Sequence, residues 1–469
     1  MRRVLVVGDG PAAHRLVERM RHHGFGGTLT VLGTTPQGCG PRPWVPYGTP
    51  VVGEPGAPGP PSPPAPRVDR AAVVTRIDRD SRRVLARVSG TETAHPYDAL
   101  VLAADARPLI PDLPGLVGVE GGLPEGVVAL GPAGTGARIT GDAVVVQGDG
   151  PLAVETASAL VARGATTTLV CARPHPLFRQ LGGTCSAMLR EDLERAGITV
   201  IGGTTAVRHA AGRLQLADGT IVHADTLVLC TGAAPDTALA RQAGLDVHDG
   251  IVVDDQLRTS DPLIHAIGDC TEYDGQVVDG RTTIWEQAEA LAEILTGRAI
   301  SYQPRPRALR LRTDLADVAT IGALADLHQP GTRLVGLTDR PRRRYARLAL
   351  RDDRVVAAVL LGLPQAIATI GLLHRRAQRL PSDRLGLLLD LPHRPTSGDA
   401  DANDDAQICL CNNVRKQTLL RAWRSGSHTV TALAEATRAT TGCGGCRRVV
   451  AELCGVWARD ARIGWERAS

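Results

Sequence analysis

The sequence predicts an α/β protein assembled from parallel βαβ units, with two smaller domains behind them. Three observations carry this. An apolar run, a glycine turn and an amphipathic helix occur in that order near the N-terminus, and the same series starts again at residue 142. Residues 306–390 change to strand-like runs such as "RLALRDDRVVAAVLLG", followed by a helix, "PQAIATIGLLHRRAQ". Residues 391–407, "LPHRPTSGDADANDDAQ", are polar and rich in breakers, and two close pairs of cysteines lie beyond them.

Composition narrows the function. A chain of 469 residues suggests about three domains. Hydrophobic content of 43% and charged content of 22% are ordinary for a soluble globular protein. A net charge of +4 gives no case for a polyanion, and 3% aromatics leaves no base-stacking surface, so no nucleic-acid partner is expected. No segment approaches the roughly 18 apolar residues of a membrane span. The apolar run Val4–Val7 is too short for a secretory signal. A cytoplasmic chain without a membrane partner is the expectation. Ten cysteines in that reducing compartment favour metal or redox use over disulfides. Lys416 is the single lysine, so the positive charge is arginine and one arginine alone carries little weight.

The elements follow in order. "RRVLVVGDGPAAHRLVERM" reads as strand, glycine turn and helix, with Leu16, Val17 and Met20 on one face. "TLTVL" at 28–32 is the next strand. Residues 50–66 are packed with proline and read as an extended surface loop. Short strands follow around 71–77 and 83–88. The second unit runs through "DAVVVQGDGPLAVETASALVARG", "TTTLVCAR" and "HADTLVLCTGAAP", and "WEQAEALAEILTG" is a later helix. The expected boundaries are 1–110 with 230–305 for a first, discontinuous domain and 111–229 for the one nested in it. An α+β domain at 306–390, a linker at 391–406 and a small helical domain at 407–469 complete the chain.

Both glycine turns fit dinucleotides. In "GDGPAA", Gly8 permits the tight turn, Gly10 lets a phosphate approach the backbone, and Ala13 lets helix pack on strand. The helix N-terminus offers free N–H groups and partial positive charge. "GDGPLA" repeats this with Gly148, Gly150 and Ala153. One such motif could be a plain tight turn; two, each between strand and helix, make a Rossmann-like pair. An acidic residue should close the second strand of each unit and hold the ribose. Thr34 stands there in the first unit and Arg173 in the second, where an arginine can accept a 2′-phosphate. NADH and NADPH both remain open.

The two glycine motifs, with "YDALVLAADARPLIPDLPG", "LVLCTGAAPDT", "RTSDPLIHAIGDC" and "WEQA", resemble the pyridine-nucleotide flavoprotein reductases over residues 1–305. "GIVVDDQLRTSD" and "WEQAEALAEILTG" are similar to the N-terminal half of assimilatory nitrite reductase large subunits and to the electron-transfer subunit of assimilatory nitrate reductase. The resemblance implies that Gly8, Gly10, Gly268 and Asp269 contact FAD, with Asp269 on the ribityl chain. It implies that Gly148, Gly150 and Gly232 border NAD(P)H, with Glu155 near the nicotinamide. A solvated helix residue is the other reading of Glu155. Three departures stand out: Thr34 for the ribose acid, Ala104 and Asp105 where Thr and Gly are expected, and the proline-rich stretch, which leaves Arg42 as the remaining flavin contact. FAD binding weaker than the fold suggests is the expectation.

The cysteines are spaced C-x-C, 31 residues, C-x₂-C, as Cys409, Cys411, Cys443 and Cys446. This spacing resembles the iron–sulfur domain of bacterioferritin-associated ferredoxin and implies a 2Fe–2S cluster on those four. Structural zinc is the rival, though its ligand pairs are spaced by two to four residues. A helix beyond "GCGGC" would aim its positive end at the cluster, and Cys454 is expected as a buried thiol. The implied function is an NAD(P)H-dependent flavoprotein that passes electrons through FAD and the cluster to a partner. Only 23 residues follow Cys446, too few for a sirohaem domain, so a separate nitrate or nitrite reductase catalytic subunit is expected. The alternatives are a self-contained disulfide or peroxide reductase using Cys39, and a non-enzymatic iron–sulfur protein with a decayed flavin site.

Overall fold

The computed structural model describes the chain apart from residues 1–2, 34–66, 70–71, 89, 117–121, 132–138, 140, 278–279, 305–307, 312, 377, 381–383, 385–387, 389–406, 410–413, 442–445 and 467–469. The proline-rich stretch and the linker therefore lie outside the described residues. The chain divides into two compact units, residues 1–178 with 190–305, and residues 179–189 with 306–469.

The first unit contains two five-stranded parallel sheets of one plan. In the first, Arg3–Val7 lies between Thr28–Leu32 and Ala99–Leu102, with Val7 opposite both Leu32 and Leu102. Arg67–Asp69 and Ile264–Ala266 are the outer strands. In the second, Ala143–Gln147 lies between Thr166–Cys171 and Thr226–Leu229, with Ile198–Gly202 and Val127–Ala129 outside. Parallel strands are covered on both faces, which is why they read as continuous apolar runs rather than alternating ones. Val4–Val7 and Leu227–Leu229 are buried throughout.

Each central strand feeds a helix through its glycine turn: Pro11–His22 in the first sheet, Pro151–Ala162 in the second. Proline suits the first helical position, where the missing N–H costs nothing. The first helix buries Ala12, Ala13, Leu16 and Met20. Burial of a Leu or Met side chain is worth roughly 1.5–3 kcal/mol. The unit adds two three-stranded antiparallel sheets, 72–96 and 206–223. A short antiparallel ribbon pairs Ala106–Pro108 with Ala233–Pro235.

The second unit holds a five-stranded antiparallel sheet, in the order 308–310, 318–321, 354–361, 344–351, 333–339. Leu348, Leu360, Ala366 and Ile370 share its core with the helix Pro364–Arg375. The last part pairs Gln407–Cys409 with Val414–Arg415 and continues as helices Lys416–Arg424, Val430–Thr437 and Arg447–Glu466. Thr429 caps the middle helix by accepting from the Ala432 N–H at 3.1 Å. Among the described residues, no helix is long and apolar enough to cross a membrane.

Candidate functional site: two glycine loops and a thiol core

Gly8 has a φ of +117°, and a β-carbon there would lie 2.1 Å from the Ala103 carbonyl oxygen. No other residue fits. Gly148 matches it, with a φ of +151° and the Cys230 carbonyl oxygen 2.3 Å from the same point. The Gly8 N–H donates to Leu32 O at 2.9 Å and the Gly148 N–H to Val170 O at 2.9 Å, so each turn is pinned to the neighbouring strand. Ala13 and Ala153 are buried where helix meets sheet.

The two loops differ in what faces them. At Gly150 nothing lies within 4 Å of a built β-carbon. At Gly10 the same point is 2.3 Å from Asp105 Oδ1. Asp105 is half-buried, and no donor among the described residues reaches its carboxylate. Burial, then the charges of Asp9 and Asp236, push it up to about 6. Gly8, Asp9, Asp105, Arg107 and Asp236 line one cleft of about 190 Å³. Arg107 is held by Asp236 at 2.8 Å.

Asp9 supplies something the sequence reading missed. A β-carbon on Gly33 would lie 2.9 Å from Asp9 Oδ2, so this carboxylate covers the end of Thr28–Leu32, where an acid was sought at Thr34. Thr34, Arg42 and Cys39 lie outside the described residues. In the second parallel sheet the matching strand ends on Cys171, not on an acid. Cys171 is buried, its Sγ is 3.6 Å from Gly148 O, and burial pushes the thiol up to about 12. It carries no charge at physiological pH. Arg173 is exposed two residues on. Glu155 is half-buried on the helix that leaves the second loop. Gly232 has a φ of +110° and lies three residues past Leu229, the end of the strand facing that loop.

Gly268 is positioned by a residue the sequence reading left unassigned. Its N–H donates to Gln287 Oε1 at 2.8 Å, and Gln287 Nε2 donates to Thr271 Oγ1 at 3.1 Å. Thr271 Oγ1 donates to Gly268 O at 2.8 Å, so the turn carrying Asp269 is clamped from inside. The signal was present: Gln287 falls on the apolar face of "WEQAEALAEILTG", between the buried Ile284 and Leu291.

In the second unit Cys409 and Cys446 are buried in one core with Val414, Leu419, Leu433 and Val450. The Thr440 N–H donates to Cys446 Sγ at 3.2 Å. A left-handed backbone at Arg438 and Thr440 shapes that approach. The helix Arg447–Glu466 starts directly after Cys446. Cys411 and Cys443 lie outside the described residues. Cys454, expected to be buried, is half-buried at the edge of the core, because the helix carries it toward the solvent-facing side.

A family model for pyridine nucleotide-disulphide oxidoreductases matches residues 2–292. The chain belongs to this family. A second model, for a BFD-like 2Fe–2S binding domain, matches residues 407–454. The nitrite reductase [NAD(P)H] large subunit of Klebsiella oxytoca is 32% identical over 391 residues, covering 81% of this chain and 40% of that protein. The assimilatory nitrate reductase electron transfer subunit of Bacillus subtilis (strain 168) is 28% identical over 398 residues, covering 81% of this chain and 49% of that protein. The chain thus spans less than half the length of these two relatives. Rhodocoxin reductase of Rhodococcus erythropolis is 32% identical over 332 residues, covering 65% of this chain and 74% of that protein. The solved putidaredoxin reductase–putidaredoxin complex shares the fold, with a TM-score of 0.67 at 22% identity, covering 82% of this chain and 95% of that one.

The family's cofactors are FAD and NAD(P)H, and the last domain is one that binds 2Fe–2S. This oxidoreductase fits the three unequally. The second loop, open over Gly150 with a helix N-terminus behind it, fits a nucleotide pyrophosphate. The thiol core fits a cluster ligand set, since an amide donates to a sulfur that must carry negative charge. The first loop has the required turn and helix, but Asp105 fills its cradle.

Proposed function

We propose that this chain is an NAD(P)H-dependent flavoprotein that passes electrons, through FAD and a 2Fe–2S cluster, to a separate nitrate or nitrite reductase catalytic subunit in the cytoplasm. The observation that carries it is the presence, in one chain, of an open dinucleotide loop and a buried thiol core whose Cys446 sulfur accepts an amide hydrogen bond. When bound, NAD(P)H supplies hydride, a 2Fe–2S centre exchanges single electrons and a flavin handles both. The nitrate and nitrite assignment rests on the names of the relatives, one of which is an electron transfer subunit.

The chain's own residues do the positioning. Gly148 and Gly150 bring backbone to the pyrophosphate, and the N-terminus of Pro151–Ala162 receives its charge. Neutral Cys171 offers the adenosine ribose no charged acceptor, and exposed Arg173 is the cation nearest in sequence. That pair favours NADPH over NADH. Cys409, Cys411, Cys443 and Cys446 would hold the cluster, and the Thr440 N–H donates to the Cys446 Sγ. Asp269 and Gly268, clamped by Gln287, border the flavin.

Anaerobic purification tests the reading. Flavin and 2Fe–2S absorption bands are expected together, and Cys446→Ser should remove the cluster bands while NADPH still reduces the flavin. Stoichiometric zinc without iron would sink the cluster. Reconstitution with a purified nitrate reductase catalytic subunit tests the partner. Reduction of cytochrome c without nitrite formation would leave the electron chain intact and the partner wrong.

A further inference from the structure

The first unit contains its own control. Val7 pairs with Leu102 as Gln147 pairs with Leu229, and each facing strand ends at that pair. Ala103 then touches Gly8 as Cys230 touches Gly148. Aligned from those contacts, "LVLAADARP" at 100–108 corresponds to "LVLCTGAAP" at 227–235, and both segments end in the strands of the joining ribbon. Asp105 is therefore the counterpart of Gly232.

The consequence is local and specific. Gly232 contributes no side chain, and the cradle over Gly150 stays open. Asp105 contributes a carboxylate, and the cradle over Gly10 is filled by its Oδ1. The second glycine of such a motif is bare so that a pyrophosphate can approach the backbone. Here an anion of the chain already stands there. We propose that Asp105 sets how tightly this chain holds the flavin dinucleotide: its neutral form admits the pyrophosphate, and its ionised form opposes it. This rests on the first glycine loop being the flavin site.

The surroundings strengthen the opposition. Asp9 faces Asp105 from the glycine loop, and Asp236 from beyond the paired strand. Asp269 and the buried thiol of Cys270 lie on the Gly268 turn, and the charges of Asp105 and Asp269 both act on that thiol. Among the described residues Arg107 is the cation lining the cleft, and Asp236 engages it. With a carboxyl at about 6, some 1% of molecules are neutral at pH 8 and most are neutral at pH 5. If binding needs the neutral form, apparent affinity falls by that fraction.

The test is the FAD dissociation constant of the full chain, by flavin fluorescence or equilibrium dialysis, at pH 5 and pH 8. Wild type should bind up to about a hundredfold more weakly at pH 8. Asp105→Asn, which keeps shape and removes charge, should bind at pH 8 about as tightly as wild type does at pH 5, and lose the pH dependence. Asp105→Gly copies Gly232 and should do the same; intact NADPH binding shows that each variant is folded. Equal, pH-independent FAD affinity in wild type and both variants overturns the role of Asp105 and leaves the flavin site standing. If no variant binds FAD at either pH while NADPH binds normally, the reading of the first loop fails, and the proposal with it.

Discussion

The two glycine loops, "GDGPAA" and "GDGPLA", share five of their six residues, and each leads through a glycine turn and a proline into a helix, yet one cradle is open and the other is occupied. The difference comes from outside the loops. It is one residue in the connection that follows the strand facing each turn, Asp105 in one case and Gly232 in the other. A glycine motif reports the path of its own backbone. Whether a phosphate can use that path depends on a segment far away in sequence, brought alongside by parallel pairing.

The largest expected effect strikes both loops alike. Gly8→Ala and Gly148→Ala each place a methyl about 2.1–2.3 Å from a backbone carbonyl oxygen at a left-handed φ. Loss of about 3 kcal/mol or more is expected, seen as low yield of folded protein or a sharply lowered melting temperature. A normal melting temperature in either variant would mean that the close approach is relieved elsewhere.

Asp105→Asn should break the symmetry through stability. Its folded pKa is raised from the ordinary carboxylate value to about 6, so the native state loses stability as pH rises from about 4 to about 6, and the loss is constant above that. The variant should gain up to about 2–3 kcal/mol over wild type at pH 8, and nothing below pH 4. Buried His265, pulled down to about 4 by burial, acts with the opposite sign: its contribution is lost as pH falls below the ordinary histidine value. It is common to both proteins and cancels in the difference. Denaturant midpoints at the two pH values measure this.

The second loop sharpens the comparison with smaller effects. Arg173→Glu should turn a preference for NADPH into one for NADH, by about tenfold in kcat/KM, or about 1.4 kcal/mol. An unchanged ratio would remove Arg173 from the 2′-phosphate. Gly150→Ala has room for its methyl and should fold normally, with the nucleotide KM raised several-fold because the methyl enters the open cradle. If KM does not move, the nucleotide lies elsewhere.

Much of this was legible in the residues. The strands, both turns and the paired thiols have local signals: apolar runs, glycine where φ must be positive, and close cysteine spacing. Asp105 was visible as a departure, but its position over Gly10 was not, because register between Arg3–Val7 and Ala99–Leu102 decides it. Asp9 was read only as the middle of a glycine turn. That it covers Gly33, taking the place expected of Thr34, depends on where its side chain points. Gln287 could have been found, since a lone amide on an apolar helix face must have a buried partner, and Gly268 is that partner.

Ala106–Pro108 and Ala233–Pro235 run antiparallel, so everything between them leaves and re-enters the first domain at one stalk. The Leu109 N–H donates to Gly232 O at 2.9 Å, which brings the two crossing points within the reach of a short peptide. Residues 109–232 thus begin and end at one place in the chain's fold. A splice of about two or three residues across the stalk would join the two flanking strands directly.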